Sequence, residues 1–329
     1  HAAAVRILLR EEDQMFMRSN HAAYLSPIFN GWTALHQAAW GGHTEVVSVL
    51  LDPTEPHAGA FRAANALATW GGWHGMTAIH VAVTFGHEAV VHCLLGYSES
   101  LQAAVGFDLV HWHRWDSGWT LLHFAAHLGE AAICQLLLDS GVLDAEAANA
   151  STHGFEEDAS EATALHVAAK IGHASVVNVL LGSEVFDKAN ALLDSPPEGE
   201  LPPIQYCNFV HVCQGFTALH VAAKRGHADV IRALLHSESF TMENHTASFL
   251  NAEDVDCRGI NALHLAVIHV QVEAVQCLVQ EPSAFTTANA RMTRPGFDWT
   301  ALHEAAHHGD SDVAACLVDP GSRFTAVND

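Results

Sequence analysis

Histidine dominates the residues that could do chemistry, with 26 copies in 329 positions. Imidazole titrates near neutrality and ligates metals, so a cluster of it points to acid–base catalysis or a metal centre. The spacing argues against both for nearly half of them. Seven His recur in one T-x-x-H slot, at His36, His80, His123, His166, His220, His264 and His303. Five more, His1, His43, His87, His173 and His227, share a Gly-His slot or its equivalent. An active site is unique, and these positions are copies. Cys207-x3-His211-x-Cys213 is the one compact soft-ligand group; zinc there requires a fourth ligand and outer-shell support, and the competing reading is an ordinary strand. His111-Trp112-His113 alternates like a strand. His307-His308 reads as solvated polar surface, with metal binding as the alternative. Asp310-Ser311-Asp312 opens a helix, where its charges complement the dipole. No Gly-rich phosphate loop, G-x-S-x-G elbow, kinase signature set or H-E-x-x-H pair occurs. We therefore expect no catalytic residue, no cofactor and no small-molecule substrate in this chain.

The elements that carry these residues are repeats. Segments beginning at Gly31, Gly75, Gly118, Glu161, Gly215, Gly259 and Asp298 align without gaps, from GWTALHQAAWGGHTEVVSVLL to DWTALHEAAHHGDSDVAACLV. Their spacings are 44, 43, 43, 54, 44 and 39 residues. Thr caps a short helix, ALHxAA, whose paired Ala allow close packing. Gly-His ends that helix and reverses the chain. The following VVxxLL puts apolar residues on one side of a second helix. Neither helix buries its face alone, so the copies are expected to stack into one solenoid spanning residues 1–329, with a half repeat at 1–30. An all-α repeat architecture of helix-turn-helix units follows.

These residues closely resemble the ankyrin repeat, G-x-T-P-L-H-x-A-A-x-x-G-H-x-x-V-V-x-L-L. Two departures stand out. Ala or Leu replaces the Pro after Thr throughout, and the period is about ten residues longer than the usual 33. The resemblance implies that both recurrent His slots are structural, hydrogen-bonding to neighbouring backbone. It also implies a non-catalytic protein-binding scaffold whose partner meets the residue between Gly and Thr at each finger tip, and the two residues ending the first helix.

The extra length has its own pattern: an apolar residue followed four positions later by Asn, as in Phe16/Asn20, Phe61/Asn65, Phe186/Asn190, Phe240/Asn244, Phe285/Asn289 and Phe324/Asn328, often after Ser183, Ser237 or Ser283. We read it as an added short helical turn, capped by Ser and ended by Asn. The remaining residues, such as Leu109 to Trp119, are expected to form long β-hairpin or loop fingers. A Pro-rich acidic loop occupies 194–206.

Composition narrows the partners. With 14 Lys plus Arg against 37 Asp plus Glu, the net charge is −23, which disfavours nucleic acid and anionic membrane surfaces. No apolar run reaches the 18 or more residues of a membrane helix, so direct membrane insertion is not expected. Only 16% of residues are charged, which implies a surface partly covered by partners. Seven Cys without paired spacing read as small buried hydrophobes in a reducing, intracellular compartment, cytoplasmic by preference. Because the chain begins inside a repeat and stops where another finger should start, we expect it to be part of a longer array.

Carried onto this sequence, the tip slot holds Trp32, Met76, Trp119, Ala162, Phe216, Ile260 and Trp299. The helix-end slots include Trp40, Phe85, Leu128, Ile171, Lys224 and Arg225. Seven of eight Trp precede residue 120, among them Trp112 and Trp115 in or beside fingers. An apolar tip row is expected to contact a partner, with mutual stacking of finger aromatics as the bland alternative. The expected function is a stable scaffold or adaptor subunit. The rivals are a regulatory or targeting arm of a multidomain enzyme and, more weakly, a His-rich metal-binding module.

Overall fold

A computed structural model describes residues 32–52, 66–68, 75–97, 119–152, 162–193, 213–241, 245–250, 256–280, 287–294 and 297–319. The described chain divides into two compact units, one comprising residues 1–114 with 120–147, the other 115–119 with 148–329.

In the first unit three helical pairs follow one another. They are α1 (Ala34–Trp40) with α2 (Thr44–Leu51), α3 (Ala78–Thr84) with α4 (Glu88–Gly96), and α5 (Leu121–Leu128) with α6 (Ala131–Asp139). A four-residue helix, α7 (Ala145–Ala148), comes next. First helices pack on first helices, α1 on α3 and α3 on α5, while α2 packs on α4 and α4 on α6. The sequence explains this layering. Ala38, Ala39, Ala125 and Ala126 are fully or almost fully buried and bring first helices close together. Val90, Val91 and Leu94 fill the space between a first and a second helix. Each such buried Leu stabilises the stack by about 1.5–3 kcal/mol relative to exposure.

The second unit repeats the scheme four times: α8 (Ala164–Ile171) with α9 (Ala174–Gly182), α10 (Ala218–Arg225) with α11 (Ala228–Leu235), α12 (Ala262–Ile268) with α13 (Val272–Gln280), and α14 (Ala301–His308) with α15 (Ser311–Val318). Its fingers add strands β1 (Cys213–Gln214), β2 (Ala247–Leu250), β3 (Asp256–Ile260), β4 (Met292–Arg294) and β5 (Phe297–Trp299). These pair antiparallel in chain order into one five-stranded sheet. Consecutive fingers thus hydrogen-bond to each other.

Three ladders join the repeats. At each first helix the N–H of the N-cap, Thr in six repeats and Asn261 in the sixth, donates to Nδ1 of the His three residues on, at 3.2 Å in Thr33 and 3.3 Å in Thr217. Nδ1 is then the acceptor nitrogen, so Nε2 carries the proton and donates to the next repeat: His36 to the Met76 carbonyl at 3.2 Å, His220 to the Ile260 carbonyl at 3.3 Å. The Gly-His slot supplies the second ladder. His87 donates from Nε2 to the Trp40 carbonyl and His227 to the Lys170 carbonyl, both at 3.0 Å. Gly172 has φ +99°, and a Cβ there would lie 2.7 Å from the His227 ring, so both conformation and space require Gly.

The third ladder corrects the expected role of Asn. Asn149 donates to the Val185 carbonyl at 3.0 Å and accepts from the Asp187 N–H at 2.9 Å. Asn190 does the same to the Ser239 carbonyl at 3.1 Å and the Thr241 N–H at 2.8 Å. Both Asn thus clamp the backbone of the following repeat; Asn149 also directly follows a helix, as expected, whereas Asn190 does not. The added segment is helical at Ala145–Ala148, where Asp144 caps the Ala147 N–H at 2.8 Å. At 183–190 it is a bend and turn, with the Ser183 hydroxyl accepting from the Val185 N–H at 3.3 Å. Phe186 and Phe240 point inward as expected and are buried. The copies at Phe16, Phe61, Phe285 and Phe324 lie outside the described residues.

Candidate protein-binding surface

The recurrent His settle first. His80 and His220 are fully buried and their pKa falls to about 3; in both, burial is the main cause. His166 and His264 fall to about 4 for the same reason, although neighbouring carbonyls oppose the shift. His36 is also lowered by burial, against its bond to the Met76 carbonyl. These imidazoles are neutral, buried and bonded to their own cap, as a structural role requires. Among the described residues no three His, Cys, Asp or Glu side chains come together as a metal site. Cys207 and His211 lie outside the described residues, and Cys213 is described only through the backbone of β1. His307 and His308 are exposed: the first lies 5.1 Å from the Trp299 ring, and Nε2 of the second approaches the buried Glu304 carboxylate at 3.4 Å. Cys93, Cys134, Cys277 and Cys316 are free; Cys134 and Cys277 are buried, and burial pushes the Cys134 thiol up to about 12.

The two rows expected to face a partner behave differently. The tip row turns inward at three large positions: Trp32 is 6% exposed, Phe216 2% and Ile260 0%. Phe216 and Ile260 join Ala162, Leu193, Leu265 and Met292 in one buried cluster, with Trp299 packed at its margin. At Phe216 and Ile260 the pairing of fingers causes this, because the pleat that aligns neighbouring fingers also points one face of each toward the helices. For these three residues the expected partner contact gives way to intramolecular packing. Met76 and Trp119 are half-buried, while Trp112 and Trp115 lie outside the described residues.

The helix-end row stays open. Trp40 at the end of α1 is 44% exposed, Phe85 after α3 is 42% exposed and Ile171 at the end of α8 is 38% exposed. Half of the six large exposed apolar residues among those described thus occupy the two adjacent positions that end a first helix. Trp40 and Phe85 meet edge to face at 6.3 Å and 78°, and Trp40 also meets the buried Trp32 at 6.4 Å and 73°. A buried Trp therefore props an exposed pair, which fixes their rotamers at little entropic cost. Leu128 and Lys224 are half-buried in the same row, and Arg225 is exposed. Three exposed apolar residues escaped the sequence reading, Leu67 and Val270 at 47% each and Val318 at 49%. Val270 had a signal: Val-Gln stands where the other repeats have Gly followed by His, Glu or Asp.

This geometry, caps bonded repeat to repeat beneath an open row of helix ends, defines a helix-turn-helix repeat protein. The family model for ankyrin repeats (3 copies) matches residues 1–104, 96–191, 158–244, 189–289 and 240–328, and the chain belongs to that family. Ankyrin repeats are in general protein–protein interaction modules and typically non-catalytic. Among solved structures, the crystal structure of human ASB11 ankyrin repeat domain is similar at 20% identity and a TM-score of 0.49, covering 87% of this chain and 96% of that one. No curated protein matches the sequence. Among the described residues no helix is long and apolar enough to cross a membrane.

Proposed function

We propose that this chain is a non-catalytic scaffold that holds a protein partner against the open helix-end row, with Trp40 and Phe85 as anchors in the first unit and Ile171, Lys224 and Arg225 as contacts in the second. The observation that carries it is the exposure of Trp40, Phe85 and Ile171 at the two-residue end of their first helices, while the tips Trp32 and Ala162 of the first and fourth repeats are buried. Aromatic side chains held rigid at a surface are the residues most often found as interface hot spots. Half-buried Met76 and Leu128 in the first unit, and Trp119 and Trp299 in the second, add area rather than anchoring.

The partner is captured with the full chain and compared with a Trp40→Ala, Phe85→Ala variant whose fold is verified by circular dichroism. Binding is expected to weaken by about 2 kcal/mol or more, the usual threshold for a hot spot, in a folded protein. Unchanged affinity in the folded variant contradicts the assignment.

A further inference from the structure

Every described turn that closes a first helix carries a residue in the left-handed region. Six are Gly, with φ +67° at Gly42, +66° at Gly86, +81° at Gly129, +99° at Gly172, +83° at Gly226 and +77° at Gly309. The seventh is Val270 at φ +55°, the one non-Gly residue with positive φ among those described. A β-branched side chain is the least suited to that conformation, because its Cβ substituents crowd the neighbouring carbonyls. Nothing in the packing rewards it, since Val270 is 47% exposed. The backbone is strained at this point in order to hold an apolar group in water.

The surroundings say what that group faces. His227 of the fifth repeat donates to the Lys170 carbonyl, and Gln271 of the sixth lies against Gly226. The turns of the fourth, fifth and sixth repeats are thereby stacked in register. Lys170-Ile171, Lys224-Arg225 and Ile268-His269-Val270 form one continuous strip in the second unit. Residues 170–173, 224–227 and 268–271 contain three of the 14 cationic side chains and no acid, in a chain with 37 acidic residues. The neighbouring tips, Ala162, Phe216 and Ile260, contain no acid either. Exposed Ile171 stands at one end and Val270 at the other, with the cations between them.

We propose that this strip binds an acidic protein segment in which Asp or Glu alternates with large apolar side chains, and that Val270 is strained because it contacts that segment. The inference rests on the helix-end row being the partner surface, and it names the chemistry of the partner for the second unit. Opposite charge supplies orientation and encounter rate, while Ile171 and Val270 supply the desolvated contacts. A strained residue kept at an exposed site is more economically explained by contact than by folding.

Two substitutions test it in the full chain. The probes are a fluorescent pool of 15-residue peptides alternating Asp/Glu with Leu/Phe, the matched Lys/Arg pool, and a single-stranded DNA oligonucleotide of equal length. Anisotropy titrations should show binding of the acidic pool, weakened by added salt and reduced about tenfold or more by Lys224→Glu with Arg225→Glu. Val270→Gly gives the more telling result: the thermal midpoint rises by about 2–4 °C while the affinity falls about fivefold. A contact role predicts those opposite signs, and no purely structural role does. The proposal is overturned if the acidic pool fails to bind, if the basic pool or the oligonucleotide binds as tightly, or if Val270→Gly stabilises without loss of affinity. Should it fail in this way while Trp40→Ala with Phe85→Ala still abolishes partner capture, the helix-end row stands and only its assigned chemistry falls. If neither set of changes affects any binding, both readings fall.

Discussion

Below about pH 6.5 the fold loses stability steeply, because the His that cap the first helices must be neutral to stay where they are. His166, His220 and His264 of the second unit have pKa values of about 4, 3 and 4 in the fold, against 6.5 in an unfolded chain. Between those values the unfolded chain binds more protons than the folded one. The contribution of each His is therefore complete above about pH 6.5 and falls away as pH drops toward 3 to 4. One pKa unit corresponds to about 1.4 kcal/mol, so three such groups set a slope of up to about 4 kcal/mol per pH unit. In the first unit His80, at about 3, and His36, also lowered, act in the same direction. Urea midpoints measured at about pH 7.5 and about pH 5 should differ by a large fraction of the total stability. Equal midpoints would show that these imidazoles are not buried neutral caps. Protonating all 26 His would carry the net charge from −23 to +3, and the lowered pKa of His36, His80, His166, His220, His245 and His264 holds it below that sum.

Phe216→Ala should cost about 3–5 kcal/mol, the usual penalty for removing a fully buried aromatic ring. Phe216 is 2% exposed and packs with Leu193, Ile260 and Met292, side chains from three different fingers. Its backbone also bridges Leu193, whose N–H donates to the Phe216 carbonyl at 2.8 Å, so the ring is fixed on both sides. Collapse into the cavity is thereby limited, which keeps the cost high. By contrast Trp40→Ala, at a residue 44% exposed, should cost about 1 kcal/mol or less. Paired denaturation curves measure both. A mild effect at Phe216 would mean that the finger tips are not a second core, and would restore them to the partner surface.

The difference between those two residues shows where the sequence was legible. Helix pairs could be read directly, because Thr-x-x-His and the Val/Leu spacing are local and repeat in phase. The inward turn of the tips could not. Whether Phe216 or Ile260 faces water depends on how one finger registers against the next, which is set by pairs such as Cys213 with Phe249 and Arg258 with Thr293. Residues 34 to 36 positions apart decide it, and no short window contains them. Asn149 and Asn190 failed for a related reason: their recurrence was visible, but their partners are backbone groups 36 to 51 residues away, which leave no mark in side-chain identity. Val270 was legible in principle, as the one turn where Gly is missing, yet its meaning needed the φ angle.

The central claim is that a partner lies on the helix-end row. Site-specific photocrosslinking tests it most directly, with a photoreactive side chain placed at position 85, at 171, or at His92 and Gln135 on the exposed sides of second helices α4 and α6. The account predicts partner adducts from 85 and 171 and none from 92 or 135. Adducts from 92 or 135 with none from 85 and 171 would contradict it.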